Sequence, residues 1–228
     1  MSEMISRRSF LKVAGLSTAG IAVFGLTGCG GGGGGNSDTI VVHRKIDLTG
    51  MTEDERYNII AEKFPNVGGI YFGYTNAKEQ NSGTVDGRAL ELLTIGFTVG
   101  NGSTEGKTVN LEHSGNEFIG DMNSYMSQVG TKPLDEIVAE VNAKYQTEQF
   151  EVEGTNVLAT IVGGYKVSEG SQTVVDNDVT ELKPNEGGML CLNMLVESGW
   201  NQLKVKYTPN FGGGTFTFVV EPSDFIKK

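Results

Sequence analysis

The chain has 228 residues, 38% of them apolar, and a formal charge of −10. Such a length supports a real core without disulfide staples, and an acidic balance repels phosphate backbones, which argues against nucleic acid as a partner. The chain holds two histidines and two cysteines, and no Cys-x-x-Cys-His motif of c-type haem attachment.

The first 28 residues hold Arg7, Arg8 and Lys12 against Glu3, so the remainder of the chain carries −12. Ser6-Arg7-Arg8-Ser9-Phe10-Leu11-Lys12 resembles the twin-arginine export motif, with Arg7, Arg8, Phe10 and Leu11 on its specified positions. The apolar stretch from Val13 to Leu26 follows. As a helix it would span ~21 Å, short of the ~30 Å hydrocarbon core. It therefore reads as a signal-peptide core. Leu26-Thr27-Gly28-Cys29 then resembles the bacterial lipobox. That resemblance implies cleavage before Cys29 and a diacylglyceryl group on its thiol. The six glycines Gly30 to Gly35 open a flexible tether. The expected organisation is a signal peptide over 1–28, a lipidated cysteine and tether over 29–37, and a folded domain over 38–228.

Thr39 to Ile46 opens the folded part as a strand. Thr52-Glu53-Asp54-Glu55 has the form of a capping box. It predicts a helix that carries Tyr57, Ile60 and Phe64 on one face and ends before Pro65. Gly69 to Tyr74 reads as a short strand, and Ala77 to Gly87 as a polar loop. Leu93, Ile95, Phe97 and Val99 alternate with Thr94, Gly96 and Thr98, the period of a half-buried strand.

A second helix is expected from Pro133 to Tyr145, where Leu134, Ile137, Val138, Val141 and Tyr145 share a face. Asp135 and Glu136 suit the positive end of its dipole. Strands follow: Val157 to Val167, Thr173 to Leu182, Met189 to Val196 (apolar on both parities, hence central), Leu203 to Tyr207, and Phe216 to Val220. Seven or more strands with glycine and proline turns predict a mainly β fold, an antiparallel β-sandwich.

From Ala89 to about Val220 the chain resembles an Ig-like β-sandwich family of bacterial extracellular lipoproteins, similar in fold to the mycobacterial immunoprotective extracellular antigen. Three pieces carry the likeness. They are Leu92 to Gly106, the turn Leu182-Lys183-Pro184-Asn185-Glu186-Gly187, and Leu203-Lys204-Val205-Lys206-Tyr207-Thr208-Pro209. Asn185 stands where that family usually has glycine, and the two predicted helices are additions to its fold. The family implies no catalytic residues.

Candidate chemistry is sparse. Asn101 to Thr108 nearly matches a phosphate-binding loop, but Asn101 replaces its first glycine and a strand pattern follows instead of a helix; a hairpin turn is the better reading. His43 and His113 lack neighbouring ligands. Cys191 sits in an apolar run, where thiols are usually inert. Asp176-Asn177-Asp178 lacks the rest of a calcium loop. Glu151 and Glu153 share a strand face, as many solvated carboxylate pairs do. The expectation is a membrane-anchored extracytoplasmic lipoprotein without enzymatic activity or cofactor. It would bind an unknown envelope protein or ligand and be held to the membrane through its lipid. The alternatives are an accessory subunit of an envelope complex or a carboxylate-based glycan hydrolase.

Overall fold

The computed structural model describes residues 22–25, 39–45, 52, 55, 58, 62–112, 131–168, 171–175 and 177–226. Arg7, Arg8, Phe10, Leu11 and Cys29 lie outside them, as do His113 and Asp176. The fold is mainly β. Strands β1 (Ala22–Gly25) and β2 (Thr39–Lys45) open the chain, and β3 (Asn66–Val67), β4 (Ile70–Val85), β5 (Arg88–Asn101) and β6 (Lys107–Asn110) follow. Helix α1 (Leu134–Lys144) leads to β7 (Phe150–Glu153), β8 (Val157–Ser168), β9 (Ser171–Val174) and β10 (Val179–Leu182). The last strands are β11 (Gly187–Glu197), β12 (Leu203–Tyr207) and β13 (Phe216–Val220).

Six strands form a sheet in the order β3-β4-β5-β11-β8-β9, five form a second in the order β1-β2-β13-β12-β7, and β10 pairs with β6 alone. The two large sheets face each other across one core. Phe97 of β5 meets the rings of Phe150, Tyr207 and Phe218, and Phe72 of β4 meets Tyr207 and Phe216. Each such aromatic pair contributes about 0.5–1.5 kcal/mol beyond the area it buries. β12 keeps its predicted alternation, with Leu203, Val205 and Tyr207 buried and Lys204 exposed.

Of the two helices expected, one is an element of the described structure. Leu134, Ile137 and Val141 of α1 are buried, and Ile137, Val141 and Tyr145 pack on Ala159 and Ile161 of β8. Of the earlier helix only scattered residues are described; Glu55, Asn58, Glu62 and Lys63 have helical backbone. Its capping box is present. The Thr52 amide donates to the Glu55 carboxylate at 2.8 Å, and the Glu55 amide donates back to Thr52 Oγ1 at 3.3 Å.

Four further expectations are corrected. The pairing is not antiparallel throughout, because β2 runs parallel to β13, Thr39 opposite Phe216 and Val42 opposite Val219. Ala77 to Gly87 is not a loop. β4 continues to Val85 and turns back through Asp86 and Gly87, both at positive φ, as a tight hairpin requires. Its polar half stays extended because β5 supplies the backbone partners, with bulges at Tyr74/Asn76 and Glu79/Asn81. Thr173 to Leu182 divides into β9 and β10, which belong to different sheets. Asn101 to Thr108 is not a hairpin turn, since it carries the chain from the six-stranded sheet to the β6–β10 pair. Among the described residues no helix is long and apolar enough to cross a membrane.

Candidate functional site

Where β6 ends, Leu111 plugs the core. Its approach depends on glycine: a Cβ on Gly164 would run into the Leu111 carbonyl oxygen, and one on Gly188 into its side chain. The Leu111 amide donates to the Asp178 carbonyl at 2.7 Å. The next residue, Glu112, takes a left-handed backbone at φ 49°, unusual for a residue with a Cβ. Its amide donates to Asn110 Oδ1 at 2.9 Å, which holds that turn. The carboxyl is thereby turned inward, and the residue is only 6% exposed.

The opposing wall is the short link from α1 to β7. Thr147 Oγ1 donates to Glu112 Oε1 at 2.6 Å and accepts from the amides of Gln149 and Phe150. Gln149, 4% exposed, donates from Nε2 to Glu112 Oε1 and to the Asn110 carbonyl, both at 3.0 Å. Gln149 Oε1 is buried with no partner. Below lies Tyr207, whose phenol is pushed up by burial and further by the Glu112 carboxylate.

Burial raises the Glu112 pKa above the usual carboxylate range. The bonds from Thr147 and Gln149 work against that rise, and the charge of Asp178 adds to it. The arrangement can hold a proton at a pH where an exposed glutamate has lost its own. Asp178 itself is exposed.

The residues singled out from sequence fare differently. Glu151 and Glu153 both face Lys206 Nζ, at 3.5 and 2.6 Å, and the bond from Lys206 lowers the Glu153 pKa. A carboxylate held in its charged form this way is not a general acid. Cys191 is half-buried on β11 between Gly96 and Gly163, and burial pushes its thiol up, away from the reactive thiolate. His43 lies in β2. Asn177 and Asp178 lie exposed just before β10.

Asn101 is a buried hub. Its Nδ2 donates to the carbonyls of Glu105 and Leu182, and its Oδ1 accepts from the amide and hydroxyl of Ser103. Sequence reasoning missed Glu112 and Gln149. Nothing local marks them, since their mutual bond joins residues 37 positions apart.

Comparison with protein-family models, curated proteins and solved structures found no match to this chain.

Proposed function

We propose that the protein is a twin-arginine-exported lipoprotein, anchored through Cys29 to the extracytoplasmic face of a membrane, whose β domain is a non-enzymatic binding module. The observation that carries this reading is the order of features at the N-terminus: the Arg7-Arg8 motif, the short apolar core, the lipobox and the glycine run. Removal of 1–28 would take β1 with it and leave β2 as the edge of its sheet.

An Ig-like sandwich is the fold reading that the strand order supports. The series β4-β5-β11-β8 follows the A-B-E-D order of such a domain, and β13-β12-β7 follows G-F-C. The turn at Asn185 supports the family resemblance as well. Its φ is 65°, a conformation that glycine adopts at no cost, and glycine is the residue usual there. Pro184 before it and the bond from the Glu186 amide to the Lys183 carbonyl complete a type II turn.

The test is made on the full chain in a bacterium with a twin-arginine system. The mature N-terminal peptide should begin at Cys29 and carry the mass of acyl chains. Lysine at both Arg7 and Arg8 should leave unprocessed protein in the cytoplasm. A Cys29→Ala product that is still processed and membrane-held would refute the anchor.

A further inference from the structure

Which end of the domain faces the bilayer follows from where the chain enters it. Thr39, the first residue of β2, comes ten residues after Cys29. Thr39 is level with Phe216 at the start of β13, and Phe216 pairs with Tyr207, which pairs with Phe150. Across the core, Phe72 lies with its ring 4.7 Å from that of Phe216. One end of the domain therefore collects the start of β2, the 208–215 loop and the link into β7. From Phe72, β4 runs on to the Asp86–Gly87 turn at the opposite end.

That opposite end is a braced surface. Asp86 Oδ2 accepts from the amide of Leu134, the first residue of α1, at 2.8 Å. Arg88 bridges Glu197 at 2.5 Å and Asp135 at 2.7 Å, and Trp200 Nε1 donates to Glu91 at 2.8 Å. Hairpin tip, helix N-terminus and the turn after β11 are thus held as one piece.

The tether cannot carry this end to the membrane. Ten residue steps reach at most ~36 Å when fully stretched. The thirteen steps of β4 from Phe72 to Val85 span ~43 Å at ~3.3 Å each. To point the hairpin tip at the bilayer, the tether would have to run back along the whole domain, and it is too short. Lying flat is opposed by charge, because the chain after residue 28 carries −12 and anionic head groups repel it.

We infer that the domain stands end-on, with the 208–215 loop and the Glu112–Gln149 cluster toward the membrane and the Asp86–Gly87 hairpin tip outward. The inference rests on the lipid anchor proposed above. It makes the surface around the hairpin tip, α1's first turn and the turn after β11 the one farthest from the bilayer. In the Ig-like reading the hairpin tip is the A–B loop and the turn after β11 the E–F loop, α1 belongs to the long B–C connection, and the F–G loop faces the bilayer.

The experiment uses the mature lipoprotein carrying Cys191→Ala, purified from membranes and reconstituted in vesicles of phosphatidylcholine and anionic phosphatidylglycerol with a trace of head-group-labelled acceptor lipid. One donor dye is placed at Thr84→Cys, near the hairpin tip, and in a second preparation at Glu148→Cys, beside β7; both positions are exposed. Thr155→Cys and Gln146→Cys provide an independent pair should either variant fold poorly. Energy transfer to the lipid should be severalfold higher from 148 than from 84. Equal transfer, or more from 84, on protein whose Cys29 carries acyl chains by mass would overturn the orientation alone. Absence of acyl chains on Cys29 would overturn the anchor and, with it, the orientation.

Discussion

Two buried polar hubs at the same end of the domain, one at Asn101 and one at Glu112, solve one problem in opposite ways. Each ties the end of a strand to a distant turn. Asn101, 1% exposed, uses both side-chain polar atoms, and its backbone adds bonds with Glu186 and Asn185. Every polar side-chain atom of Asn101 itself is paired, and none of them ionises. The Glu112 hub buries an ionisable group next to Gln149 Oε1, which has no partner. Buried polar groups are stabilising when fully paired and costly when they are not. The first hub is therefore a fastener, and the second retains a dependence on pH.

The largest effect should come from breaking the fastener. Asn101→Leu keeps the volume but strips the partners from the carbonyls of Glu105 and Leu182, and it should cost ~3–5 kcal/mol in a denaturant titration. A loss below ~1 kcal/mol would mean that the turn re-forms without it.

Glu112→Gln sharpens the contrast through pH. Burial raises the folded-state pKa of Glu112 above its ordinary value of 4.5, so the native state binds more protons than the unfolded one. Stability is therefore highest below the ordinary value and falls as pH rises toward the folded one. Glutamine lacks that ionisation. Thermal melts should show the variant more stable than the parent at neutral pH, with the gain vanishing in acid. A gain of equal size at both ends of the pH range would refute a titrating Glu112.

The smallest effect belongs to Asn185, which borders the Asn101 hub and has a buried Oδ1 without a partner. Asn185→Gly suits the left-handed backbone and removes that atom, so stability should hold or rise by up to ~1 kcal/mol. Asn185→Ala should cost ~1 kcal/mol.

Much of the β architecture was legible because one-sided burial writes itself into period-2 alternation. β12 follows it, and α1 follows its helical counterpart to within a residue at each end. The outer half of β4 was not legible. Residues 81–84 carry no apolar side chain and are exposed on both faces, and they are held extended by β5 alone. The parallel β2–β13 pair and the split of β9 from β10 depend on contacts distant in sequence, which no local pattern records. The same holds for Glu112, whose bond to Thr147 spans 35 residues. The proposed export and lipid-attachment residues are the reverse case, since their signal lies wholly in local order and outside the described residues.

The parallel pairing of β2 with β13 also bears on mechanics. Were Cys29 fixed in a bilayer, any drag on the domain would reach it through the start of β2 and pull along that strand. The β2–β13 bonds lie across such a pull and are evenly spaced along the pair. They would be loaded together in shear, rather than peeled one at a time. The pairing of β2 with the last strand of the fold would then be a seam suited to bear load.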